Sequence, residues 1–259
     1  MKFARILYDG IKHWGIMSET GDTIELISGS PFDDHEVKEK TEQELSVSEA
    51  DFLPPCDPGQ IIIVGWNYKN HTPGSDGRGP DEPIWYPLSP YSLSLDGADV
   101  HYPEGLTRVE MEAELVVVIG KEAKGVEAAD ALSYVFGYTC GNDVSARDIQ
   151  NHPVRPNLPV GKTLDGFCPI GRCISTSADP SDLTVTGKLN GEIVQQASTR
   201  DMFFGVPALI EHITKYHTLR PGDLIFTGTP ASRAPTIVKP GDHMLVEIEG
   251  LGTLENTVV

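Results

Sequence analysis

Eleven residues, 109–119, with the sequence VEMEAELVVVI, most tightly constrain what this chain can fold into. A strand sends alternate side chains to opposite faces, so Glu110, Glu112, Glu114, Val116 and Val118 share one face, and Met111, Ala113, Leu115, Val117 and Ile119 the other. The second face is wholly apolar and belongs in a core. Carboxylates two residues apart sit about 7 Å from each other. Once partly buried they repel unless a cation lies between them or one is protonated. A divalent cation resolves that conflict. A solvated face explains the pattern equally well, because the chain carries 38 Asp and Glu against 20 Lys and Arg, a net charge of −18.

The block GYTCGNDVSARDIQ, residues 137–150, offers more of the same chemistry. Asp143 would add a third hard oxygen ligand, and a few carboxylates with several open water positions suit Mg²⁺ or Mn²⁺. Arg147 lies four residues beyond Asp143. On a helical turn it would share that face and either pair the carboxylate or grip a substrate acid; a surface ion pair is the competing reading. Lys162, in PVGKTLDGFCPIG, follows a glycine and precedes Asp165. It would stabilise an enolate oxygen or move a proton near a bound anion, or it is simply solvated. Thr227-Gly228-Thr229-Pro230 ends a strand with two hydroxyls and a glycine, either a cradle for a carboxylate or a plain turn. His71 is the sole imidazole of its segment and by itself reads as structural or exposed.

The net charge argues against a nucleic-acid partner, since no Lys/Arg cluster offsets it. The longest apolar run, residues 115–119, is far short of a membrane helix, and the N-terminus has no signal-peptide core. Cys56, Cys140, Cys168 and Cys173 form no CxxC pair and read as reduced thiols, so a cytoplasmic location is expected.

Along the chain, residues 1–57 read as a small N-terminal domain of short strands (KFARILYD, HWGIMSE, DTIELIS), with a helix expected within the acidic stretch 33–51. Residues 58–259 form the second domain. It begins with a β-branched run at 61–64 and a long irregular, lid-like loop over 72–90. Residues 127–135 have helical character, and a helix is expected over 202–214. The rest is short strands, with Asn190-Gly191 as a hairpin turn. Together these give a mixed, β-rich α+β fold.

Seven ordered blocks then carry a resemblance: VGWNYKNH (64–71), MEAELVVVIGKEA (111–123), GYTCGNDVSARDIQ (137–150), GKTLDGFCPIG (161–171), NGEIVQQ (190–196), LRPGDLIFTGTP (219–230) and VKPGDHMLVEIEGLGTLENTVV (238–259). They look like the fumarylacetoacetate hydrolase family over about 200 residues. RPNLPVGKTLDG (155–166) is similar to the decarboxylase/isomerase enzymes of homoprotocatechuate breakdown. The resemblance implies a β-roll like the C-terminal domain of fumarylacetoacetase, a homodimer, and Mg²⁺ or Mn²⁺ held by Glu112, Glu114 and Asp143. It further implies that Arg147 and Gln150 hold substrate oxygens, Lys162 is the active-site lysine, Thr229 lies in the substrate-carboxylate loop, and His71 is the lid histidine that activates water.

Two departures stand out. The glutamate that many members carry three residues after that histidine is here Gly74, and Asp76 would reach His71 only after a rearrangement. The lysine of an FxKP segment is missing from WYPLSPYSL, where Ser89 lies nearby. The expected activity is metal-dependent C–C hydrolysis of a small 2-oxo (2,4-dioxo) acid through a metal enolate. Decarboxylation or keto–enol isomerisation of a 2-oxo diacid is the alternative, and a degenerate acid-binding protein a third reading. Trp66, Trp85, Tyr86 and Tyr91 either line the substrate's distal pocket or pack the loop.

Overall fold

The computed structural model describes residues 1–32, 40–69, 71 and 78–259. Its central strand, Ala113–Ile119, pairs antiparallel with Val135–Asn142 on one side and Leu224–Phe226 on the other. Beyond the latter lie Ile61–Gly65, parallel, and Ile84–Leu88, antiparallel, at the sheet's edge. In the other direction Cys173–Ser175 links to Lys2–Tyr8, which starts a meander through Ile11–Met17, Thr23–Ile27 and Lys40–Ser46. A five-stranded sheet runs Glu192–Ser198, Thr184–Leu189, His243–Ile248, Gly252–Val258 and Asp99–Val100. A small third sheet joins Ser145–Ala146, Val109–Glu110 and Ile237–Val238. The β-rich fold is as expected.

The central strand is buried along its whole length. Leu115, Val117 and Ile119 join the large core between the two main sheets. Val116 and Val118 join a second core with Ile61, Ile63 and Phe226. A strand covered on both faces needs a continuous apolar run, and residues 115–119 supply it. The expected single strand over 109–119 is broken, however. Glu110 belongs to the small sheet, and the chain leaves strand geometry at Met111 and Glu112, where side chains and loops take over the backbone bonds. Glu112 N–H donates to Asn142 Oδ1 (2.9 Å), Ala113 N–H to Gln195 Oε1 (3.0 Å) and Met111 N–H to Thr236 O (3.0 Å).

Other expectations shift for local reasons. Of the stretch 33–51, residues 33–39 lie outside the described residues, and no helix forms over 40–51. Lys40–Ser46 is a charged edge strand, and a 3₁₀ turn, Val47–Glu49, follows. Residues 127–135 yield only the 3₁₀ turn Ala131–Tyr134, since Val135 is already in a strand and so short a segment cannot stabilise a helix alone. The helix expected from Met202 starts at Val206 behind Gly205, with Pro207 in its first turn, and runs to Tyr216. The lid-like reading of 72–90 falls partly on residues 72–77, outside the described residues. Its later part holds the strand Ile84–Leu88, where an edge position tolerates Pro87. Asn190 (φ 51°) and Gly191 (φ 87°) turn the hairpin as anticipated. No described helix is long and apolar enough to cross a membrane.

Candidate active site

The break in the central strand puts carboxylates at the mouth of the sheet. Glu114 sits opposite Gly141, and a Cβ on Gly141 would meet the Val116 side chain and lie 2.6 Å from the Phe226 ring. Only a glycine lets the strands and that ring close beneath the site. Asp143 follows directly on the strand Val135–Asn142 and donates its N–H to Glu112 O at 2.9 Å. One ligand atom each of Glu112, Glu114 and Asp143 comes within 4.8 Å of the others, all three buried.

Their partners differ. Lys162 Nζ reaches Glu112 Oε2 at 2.7 Å and also pairs with Asp143 Oδ2. Arg147 Nη2 pairs with Glu112 Oε1. Glu114 Oε2 accepts the Gly228 N–H at 2.7 Å. Asp143 Oδ1 is buried with no hydrogen-bond partner among the described residues. Burial alone would raise all three acids. In Glu112 the Lys162 and Arg147 cations overcome that penalty and bring it down to about 2. Glu114, facing Asp143, stays well above the usual carboxylate range, and burial pushes Asp143 up to about 7 despite Lys162. The cluster is thus short of positive charge, with one oxygen unpartnered. Three hard oxygen donors in that state fit a divalent cation such as Mg²⁺ or Mn²⁺.

The cations are fixed from behind. Arg147 Nε donates to Glu110 (2.7 Å) and Nη1 to Gln150 Oε1 (2.7 Å). With the Glu112 contact, three of its five N–H groups are engaged and two have no partner among the described residues. The expected helical turn from Asp143 to Arg147 does not form. Ser145–Ala146 are a short strand and Arg147 opens the helix Arg147–Gln150, so it pairs with Glu110 and Glu112 instead of Asp143. Gln150 packs on Gly161, where a Cβ would meet the Gln150 side chain and Ala146 O at 2.8 Å; this contact brings Lys162 into the cluster.

The Thr-Gly-Thr-Pro loop holds a carboxylate of the protein itself, Glu114, through Gly228. The Thr229 hydroxyl donates to Ala113 O (3.0 Å) and accepts from Gln195 Nε2 (2.7 Å). Thr229 still lines the cavity, of about 280 Å³, that opens above the cluster. His71 and Gln150 line it too. Burial depresses the His71 imidazole below its ordinary range, leaving a neutral base at pH 7. Gly74 and Asp76 lie outside the described residues. Ser89 is absent from the cavity wall, and its N–H donates to Thr163 Oγ1 at 3.0 Å.

Of the four aromatic candidates, Trp66 and Tyr86 line the cavity, Trp85 packs on Tyr216 and His217, and Tyr91 is exposed. Two contributors were not singled out from sequence. Glu110 ties Arg147 to Arg108, whose Nη2 lies 2.6 Å from Glu110 Oε1; its signal was a third glutamate at the same period. Asn67, buried in the VGWNYKNH block, has no such signal. It donates to Phe204 O and Thr227 O and accepts from Phe204 N–H. All four cysteines are unpaired, as expected.

The family described as fumarylacetoacetate (FAA) hydrolase C-terminal matches residues 60–259, and one described as Rv2993c-like, N-terminal, matches residues 1–55. The chain is 40% identical over 221 residues to a Dictyostelium discoideum fumarylacetoacetate hydrolase domain-containing protein 2 homolog, covering 79% of this chain and 72% of that one. It is 39% identical to the Escherichia coli 4-hydroxyphenylacetate degradation bifunctional isomerase/decarboxylase, covering 84% of this chain and 51% of the relative. It is 39% identical to a human mitochondrial oxaloacetate tautomerase, with 83% and 71% covered. A crystal structure of 5-carboxymethyl-2-hydroxymuconate delta-isomerase from Mycobacterium smegmatis superposes with a TM-score of 0.90 at 31% identity, over 100% of this chain and 99% of that one. The converging acid triad, the lysine and arginine that pair with it, and a match over 200 residues place this chain in the fumarylacetoacetate hydrolase family.

Proposed function

We propose that the protein catalyses keto–enol isomerisation of a small 2-oxo diacid, and its decarboxylation through the enolate that loss of CO₂ leaves, with a divalent cation. The observation that carries this reading is that the Lys162 ammonium and the His71 imidazole line one cavity with Glu112 and Glu114 of the acid triad. That is a proton donor and a base beside a site for an acid. Relatives named as isomerase/decarboxylase and oxaloacetate tautomerase support it.

Glu112, Glu114 and Asp143 would hold the cation, which when bound supplies Lewis-acid stabilisation of charge on the substrate oxygens. The two free N–H groups of Arg147 orient a substrate carboxylate. His71 removes the proton at C3. The electron pair of that C–H bond forms the C2–C3 double bond, and the charge moves to the 2-oxo oxygen, which the Lys162 ammonium faces and protonates. In decarboxylation the C3–C4 bond breaks instead, CO₂ leaves, and C3 then takes up a proton.

Hydrolysis of an acylpyruvate is the second reading, favoured by the same neutral His71, which suits water activation as well as proton abstraction. Mass-spectrometric product analysis on oxaloacetate and acetylpyruvate, with an EDTA-treated control, separates the two. The expected result is CO₂ release from oxaloacetate, lost with EDTA, and intact acetylpyruvate. Cleavage of acetylpyruvate to pyruvate and acetate would overturn the proposal in favour of hydrolysis. The resemblance also supports a homodimer, which light scattering on the purified protein tests.

A further inference from the structure

Three described non-glycine residues have a left-handed backbone, and two of them, Asp9 and Asn190, are small turn formers. The third is Trp66, at φ 50°. A bulky side chain adopts that conformation only where its surroundings impose it, and such strain collects at ligand sites. The imposing group is the next residue. Asn67 is 1% exposed; its side chain makes three hydrogen bonds of 2.8–2.9 Å to Phe204 and Thr227, and its carbonyl accepts the Phe203 N–H. Burial of the indole does not offset the strain, since Trp66 is 40% exposed. Trp14 and Trp85 each pack against another ring, whereas Trp66 makes no aromatic pair among the described residues. What Trp66 does border is the cavity above the acid triad, together with Tyr86.

We propose that Trp66 determines substrate specificity: Asn67 fixes its indole at the cavity wall as a platform for a planar, unsaturated chain beyond the 2-oxo acid group. This rests on the 2-oxo acid reading and deepens it. The acid triad, Arg147 and Lys162 deal with the carboxylate and the 2-oxo oxygen common to every such substrate. An aromatic face on the wall adds affinity only for ligands with a flat distal part, by stacking. Chain length and unsaturation are therefore read at Trp66, and the reacting end is read at the triad.

Isothermal titration calorimetry on Mn²⁺-loaded protein tests this with two ligands: oxalate, which has no distal chain, and benzylidenepyruvate, a 2-oxo acid with a conjugated planar one. For Trp66→Ala the expected result is about tenfold weaker benzylidenepyruvate binding with oxalate within twofold of wild type, and Trp66→Phe should retain most of the affinity. Trp66→Gly relieves the backbone strain, so it should keep or raise the melting temperature while losing the same affinity; this separates recognition from folding. Equal loss for both ligands, or no loss for either, would overturn the inference alone. Failure of wild type to bind oxalate would overturn the 2-oxo acid reading and this inference with it.

Discussion

At the residue scale the site is a problem in charge balance. Of three buried acids, Glu112 ionises because Lys162 and Arg147 face it, while Asp143 stays protonated up to about pH 7 and Glu114 beyond the usual range. A cation entering the triad must displace those protons. Apparent Mn²⁺ affinity should therefore rise roughly tenfold per pH unit below 7 for each proton released, and rise less steeply above it once Asp143 has ionised. Calorimetry in buffers of different ionisation enthalpy counts those protons. The sign for stability follows. Between the ordinary aspartate range and pH 7 the folded chain holds a proton on Asp143 that the unfolded chain has lost, so the metal-free protein should lose stability as pH rises through that window. Two substitutions separate further roles. Glu110→Gln loosens the hold on Arg147, and KM should rise about tenfold with kcat little changed. His71→Ala removes the base, and isomerisation should slow by at least about a hundredfold.

At the element scale the site depends on where strands stop. The central strand is a two-faced core strand from Leu115 onward, and its carboxylates converge because pairing gives way at Met111 and Glu112 to side-chain partners, Asn142 and Gln195. Gly141 is the contact that lets neighbouring strands close beneath Glu114. Gly141→Ala should therefore destabilise the fold by about 1–3 kcal/mol, read as a lower melting temperature, because the new methyl meets Val116 and the Phe226 ring. Much of this was legible in the sequence. Period 2 put Glu110, Glu112 and Glu114 on one face, and the β-branched runs and the Asn190-Gly191 turn marked strands correctly. The strand break was not legible, because the groups replacing the ladder come from residues 30 and 82 positions away in sequence. For the same reason sequence spacing pairs Arg147 with Asp143 only on the condition of a helical turn, whereas its partners Glu110 and Glu112 reach it across the fold.

At the scale of the whole molecule, one cavity collects side chains from four distant stretches of chain: His71 and Trp66, the Glu110–Glu114 glutamates, Arg147 with Lys162, and Thr229. Resemblance could assign these stretches to one site, but only the folded chain gives each its partners. Thus the Thr-Gly-Thr-Pro loop holds Glu114 through Gly228, and Glu110 joins two arginines. A cation that binds only the assembled site should stabilise the whole fold, by about 2.7 kcal/mol at a hundred times its dissociation constant, and Glu112→Ala should abolish that gain in thermal melts. The most direct test of the proposed chemistry is the rate at which the ultraviolet enol band of oxaloacetate relaxes with Mn²⁺-loaded protein. Acceleration that disappears with EDTA and in the Glu112→Ala variant is the expected result; relaxation at the uncatalysed rate with the loaded wild-type protein would contradict it.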